Sequence, residues 1–345
     1  MHCCYRLSIV QVAVIAACVV AVSPATAADC KDGMRKINVG VSVTPPNVVH
    51  TTPFVAKALG LFAKHCIDAN IIQFEGGASP AAKAAVAQGT AITNLSDIAI
   101  GRGMKAQQFY NFAPKLPPVY AVAPEIKTAA DLKGKRLSAS GGGVGGFQWR
   151  MAREVLRTAN LKVEDVQFIS QGTAGRLPGL VAKQTDAVSL HPEDMHLAME
   201  KRPGVHALVD LDKLLPNFVY NAYGASTAWI AKDHDLLRDT AAAMIEANRT
   251  IYQHEDKVVP IMVEATRKPK EAVEFAWRHL TKNCIWAVND GFDPKRTQWT
   301  IDYDVSVGDL DNAHKPTVEQ VIDFKLAKDA VEAAGGRVTI NGCKD

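Results

Sequence analysis

Residues 138–150 read SASGGGVGGFQWR, with five glycines among the six positions Gly141 to Gly146. A β-rich run at 136–140 precedes them. A helical pattern over 147–159 follows, with Phe147, Met151, Val155 and Ala159 spaced four apart on one apolar stripe. Strand, glycine turn and amphipathic helix together make the unit of an α/β fold. Gly141, Gly143 and Gly146 also match G-x-G-x-x-G, which raises the question of a dinucleotide. That fold places an acidic residue at the end of the following strand, about 20 residues on. The following strand here, 166–170, ends in Ser170-Gln171, and Glu164 and Asp165 stand before it. No Gly-Lys-Ser/Thr follows to make a P-loop. The loop still offers backbone N–H groups at a helix start, where an acceptor or a negative group is favoured.

The same unit recurs on both sides of this stretch. Residues 37–43 read as a strand, and Thr52-Pro53 opens a helix through Lys64. A second strand at 70–74 leads through Gly76-Gly77 to a helix from Ser79-Pro80 to Gln88. A short strand is expected at 97–100 and another at 119–122, flanked by prolines. Beyond the glycine loop, strands at 166–170, 186–191 and 206–211 alternate with helices. Such alternation implies parallel sheets in two lobes. After Leu215 the pattern is one extended stretch, 220–231, and then helices only, which should pack back on the first lobe. The expected division is a leader at 1–27, a first lobe of 28–122 and 222–345, and a second lobe of 123–221. The chain then crosses between lobes near 119–124 and 220–231.

The 345 residues are 48% hydrophobic and 22% charged, with a formal charge of +3. That is a globular composition without the basic face that nucleic acid requires. Arg6, the apolar stretch 7–22 and Ala25-Thr26-Ala27 form a secretory signal, cut after Ala27. A lipoprotein signal at Cys18 is the alternative; the apolar residues after it favour a soluble exported protein. Cys30, Cys66, Cys284 and Cys343 remain after cutting, and in an oxidising compartment four cysteines allow three pairings. Cys30 and Cys66 each lie just upstream of an expected strand, and Cys343 in the tail could be tied to Cys284. The expected bonds are therefore 30–66 and 284–343.

Several helix starts fall at carboxyl ends of strands, the edge that holds ligands in open α/β sheets. The candidate ligand contacts gather there: Thr44, Pro45, Asn47, His50 and Thr51; Gly76 and Gly77; Ser140, Gly142, Gly143, Val144, Gly145 and Phe147; and His191. Arg102, after the short strand 97–100, and Tyr223, in the second crossing, complete the set. His191 and His196 are five residues apart, off the shared face that a metal pair on one helix uses. No G-x-S-x-G nucleophile motif is present.

Three stretches resemble the solute-binding proteins of ABC importers for alkanesulfonates, nitrate and thiamine pyrimidine precursors. They are TPPNVVHTTPFVAKALGLFAKHCIDANIIQFEGG (44–77), IKTAADLKGKRLSASGGGVGG (126–146) and KQTDAVSLHPEDMHLAMEKRPGVHALVDL (183–211). The likeness covers roughly 37–235. It implies a type II periplasmic binding fold of two α/β lobes joined by a two-strand hinge, with a ligand cleft between them. It also implies a soluble monomer that delivers a small polar or anionic solute to an inner-membrane permease, without a cofactor. Pro46-Asn47-x-x-His50-Thr51 resembles the pyrimidine-precursor branch, which places His50 at the ligand; the residue before Thr44, often aromatic there, is Val43. Some relatives make the pyrimidine and consume their own histidine, but their cysteine-rich iron motif is absent here. The alternative reading is an enzyme of that kind, or one using the glycine loop for a phosphate or cofactor.

Overall fold

The computed structural model describes residues 30–77, 79–139 and 143–345. The expected leader with Cys18, and the loop positions Ser140, Gly141 and Gly142, lie outside the described residues.

The first lobe opens with β1 (Arg35–Val41), α1 (Thr52–Ala58), α2 (Leu61–Lys64) and β2 (Ile67–Gln73). Pro53 sits in the first turn of α1, where its missing N–H costs nothing. Next come α3 (Pro80–Ala87), β3 (Thr93–Asn94), α4 (Asp97–Gly101) and β4 (Ala106–Ala113). β1 and β2 pair in parallel, and a parallel bridge from Val39 to Ile92 joins them to β3. Gly40 is required at that crossing, because a Cβ there would lie 2.6 Å from the Thr93 side chain.

The second lobe holds β5 (Val119–Val122), β6 (Arg136–Ser138), α5 (Phe147–Arg157), β7 (Gln167–Ile169), α6 (Arg176–Val181), β8 (Ala187–Leu190), α7 (Pro192–Lys201), β9 (His206–Asp210) and α8 (Leu211–Leu214). Its strands are ordered β7-β6-β8-β5-β9. The chain then returns as β10 (Asn221–Ser226) and continues as α9 (Thr227–Lys232), α10 (His234–Gln253), α11 (Glu255–Thr266), α12 (Lys270–Lys282), α13 (Pro294–Ser306), α14 (Val318–Val321) and α15 (Phe324–Ala333). β10 runs antiparallel between β3 and β4. α10 lies at the centre of the larger apolar core, where Leu237, Ala241, Met244, Ile245 and Ile251 are all fully buried.

Three expectations need correction. Residues 97–100 are helical, because the Ser96 hydroxyl caps the turn by accepting from Ala99 N at 3.3 Å. β4 was not expected: AQQFYNFA has no clean alternation, since most of its residues on both faces are covered and the Gln108 amide donates to Leu95 O at 2.7 Å inside. The sheets are also mixed rather than parallel. β5 lies antiparallel to β8 and β9, and β10 antiparallel to β3 and β4, so each lobe takes in the strand that arrives from the other. The chain therefore leaves the first sheet at 114–118, ahead of β5, and leaves the second at 215–220.

The cysteines pair as expected. Cys30–Cys66 and Cys284–Cys343 are disulfide-bonded, with Cα atoms 5.6 Å and 5.4 Å apart.

Candidate functional site

A cavity of about 210 Å³ lies between the lobes. Its lining comes from His50 in the turn before α1, the carboxyl ends of β1, β2 and β3, the starts of α4, α5, α6 and α7, the second crossing and α13, among others. Among the candidate residues, His50, Gly76, Gly77, Arg102, Gly145, Phe147 and His191 line it. Residues from two separate runs, 50–102 and 145–191, thus converge on one space, as strand ends in an open α/β sheet should.

The histidines meet at its base. Their ring centroids are 5.5 Å apart, edge to face. The Asn221 side-chain amide donates to His50 Nε2 at 3.0 Å, and His191 Nε2 lies 2.9 Å from the Tyr220 hydroxyl. Burial holds His50 well below the usual imidazole range, helped by His191 and Arg176. His191 is lowered likewise by burial, then by Arg176 and Lys268. Both rings are therefore neutral near pH 7, presenting hydrogen bonds rather than charge. Burial also pushes the Tyr220 phenol up, so it stays a hydroxyl. Phe147 packs on Tyr220 with centroids 5.5 Å apart, adding an apolar wall.

Positive charge comes from Arg176, Arg150, Arg102 and Lys83, all in the lining. Arg176 is almost wholly buried, and its electrostatic neighbours are Tyr220, Asp194 and Glu75. Arg150 is bonded to Asp304 and Asp309, and Arg102 donates to the Asp309 carbonyl at 2.9 Å. The one lining carboxyl, Asp97, is raised by burial, which weakens its charge.

Other candidates have structural work instead. Asn47 donates to Glu193 Oε1 at 2.8 Å and to Asp194 Oδ2 at 2.9 Å, tying the first lobe to the start of α7. Thr44 N meets the Thr173 hydroxyl at 3.3 Å, a second contact between lobes. Thr44 and Pro45 line a separate hollow beside Phe54 and Ile71. The Thr51 hydroxyl donates to Val48 O at 2.8 Å in the core. Tyr223, within β10, is buried and stacked on Tyr110 with centroids 6.4 Å apart. Gly143 and Val144 lie off the cavity, and Val144 is exposed.

The sequence reading missed Tyr220, Asn221, Phe218, Arg176 and Arg150. The first three lie at 218–221, where the second crossing meets β10, just ahead of Tyr223. Alternation along the extended stretch could not say which tyrosine faces the cavity, because the stretch changes from coil to strand between them.

Two α/β lobes, each with one antiparallel strand taken from a crossing, around a shared polar cavity define a type II periplasmic binding fold. Solved structures share it. The aliphatic sulphonate-binding protein SsuA of Escherichia coli is 20% identical, with a TM-score of 0.65 over 83% of this chain and 91% of that one. The nitrate-binding protein NrtA of Synechocystis is 13% identical, with a TM-score of 0.67 over 87% and 88%. The desulfurization enzyme DszB has the fold too, at 13% identity and a TM-score of 0.60 over 86% and 99%. The chain belongs to the NMT1/THI5-like family, whose model matches residues 47–258. No curated protein sequence matches it.

Proposed function

We propose that this is the exported solute-binding protein of an ABC importer, holding a small anionic organic solute between its lobes and delivering it to an inner-membrane permease. The observation that carries the reading is the cavity itself. It is lined by both lobes, floored by two neutral histidines and a tyrosine, and bordered by Arg176, Arg102 and Lys83. Neutral donors with nearby guanidinium groups suit a sulfonate or carboxylate, and Phe147, Phe218 and Tyr220 suit an apolar or ring-shaped body. The described residues contain no helix long and apolar enough to cross a membrane. In this reading residues 1–27 are the leader, the lobes divide near 114–118 and 215–220, and the protein acts as a periplasmic monomer without a cofactor.

Mass spectrometry of small molecules released from protein purified from its native periplasm, followed by calorimetry with the solute found, is the test. Stoichiometric binding with the solute recovered unchanged is expected, and His50→Ala should weaken it. A second reading, favoured by the likeness to DszB, is an enzyme on the same fold. Chemical turnover of the recovered solute would establish that reading and overturn the first.

A further inference from the structure

Asp97 of the cavity wall has a buried carboxyl behind it, Asp304, and the solute reading uses neither. Asp97 is the first residue of α4, and Asp304 lies on α13. They are 7% and 0% exposed. The two side chains stand close enough to interact directly, within reach of a hydrogen bond. A carboxylate only accepts, so such a bond requires a proton on one of them. The Oδ2 atom of each is buried and has no donor among the described residues.

The surrounding charges cannot neutralise two anions there. Arg150 on α5 donates to Asp304 Oδ1 and to Asp309 Oδ2, the latter at 2.9 Å, so one guanidinium already serves two carboxylates. Arg153 is taken by Asp309, at 2.7 Å and 2.9 Å, and by Glu154 at 2.9 Å. Arg157 pairs with Glu154. Arg102, at the end of α4, donates to the Asp309 carbonyl rather than to a carboxylate. On the outer side, Asp302 pairs with Lys315, and Glu319 on α14 is exposed.

We propose that Asp97 and Asp304 share one proton and form a pH-sensitive joint in the cavity wall, pinning α4 to α13 and, through Arg150, to the second lobe. Burial, Asp97 and Asp309 push the Asp304 carboxyl up to about 8, and burial raises Asp97. Loss of the proton leaves two adjacent buried anions on one shared guanidinium, a state the packing must relieve by separating α4 from α13 or admitting water. The joint requires no particular solute.

Carbon-13 spectra of protein labelled at the aspartate carboxyls, recorded from pH 4 to pH 10, test the inference directly. One aspartate resonance should titrate near pH 8 and vanish from that range in both Asp304→Asn and Asp97→Asn. Stability supplies the second readout. The folded pair holds a proton that the unfolded chain has already lost, so stability falls as pH rises from the ordinary value of 3.8 to about 8. Relative to Asp304→Asn, the wild-type unfolding constant should rise by up to about tenfold per pH unit across that window and level off above it. Ionisation of every aspartate below pH 6, or parallel stability curves for wild type and variant, would overturn the proposal. If Asp304→Asn does not fold, the wild-type titration and Asp97→Asn decide it.

Discussion

At the scale of single residues, the glycine loop and the histidines make opposite demands. Gly145 has φ +81° and an open space where a Cβ would go. Aspartate is among the few residues that tolerate that backbone region, so Gly145→Asp should fold. It would place a carboxylate at the cavity edge, where an anionic solute is proposed to bind. Lost hydrogen bonds to a charged group cost about 1.5–3 kcal/mol each, so two of them predict a loss of at least about a hundredfold in affinity. Calorimetry with the recovered solute checks this against Lys232→Ala, a change on the exposed end of α9 that should bind normally. The histidines predict acid sensitivity. Both are held below the ordinary 6.5, so beneath that pH the unfolded chain takes up protons that the folded one refuses. Stability is then full above pH 6.5 and falls on acidification. His191→Gln, compared with wild type by urea denaturation at pH 7, 6 and 5, should show a shallower fall, by up to about 1.4 kcal/mol per pH unit. Equal slopes would mean that folding does not lower the His191 pKa.

Elements are held to one another by buried ionic contacts rather than by surface pairs. Lys268, between α11 and α12, reaches Glu193 at 3.5 Å and also bonds Asp194 at the start of α7. Glu193 is fully buried and also accepts from Val48 N at 3.1 Å. Lys268→Met leaves two adjacent buried carboxylates without their cation and should cost about 3–5 kcal/mol. Lys315→Met, which breaks the half-exposed pair with Asp302, should cost at most about 1 kcal/mol. Chemical denaturation measures both, and similar losses would mean that the buried contact is not a special fastening. The tail is a second case. Asp345 accepts from Val288, Asn289 and Gly291 N at 3.0–3.1 Å, and Cys343 is bonded to Cys284 across 59 residues. Replacing both cysteines by serine should lower stability by up to roughly 4 kcal/mol under the loop-entropy account.

For the whole molecule, two crossings and a cavity shared by both lobes predict hinge motion. The cross-lobe contacts include Thr44 and Glu75 with Thr173, Asn47, Val48 and Lys268 with the start of α7, Phe275 of α12 with His196 of α7, and Arg150 and Arg153 with α13 and its following loop. Small-angle scattering with and without saturating solute should show compaction on binding. An expansion, or a scattering curve insensitive to solute and unchanged in Lys268→Met, would argue for a single fixed arrangement.

Local signals made much of this legible. Ser79 and the Thr52-Pro53 start are short-range chemistry, and the stripe of α5 is set by its own periodicity. The two disulfides followed from where the cysteines stand relative to β1, β2 and the tail. The convergence of His50 and His191 was readable because strand ends in α/β sheets share an edge. Tertiary structure alone decided the rest. β4 is a strand only because other elements cover both its faces, and β5 joins the second sheet because the chain reaches it after the crossing. Asn47 turned from the cavity because Glu193, 146 residues away, needed a donor. Tyr220 rather than Tyr223 faces the cavity because β10 begins between them. Long-range partners set burial and charge at these positions, and burial and charge set what each side chain does.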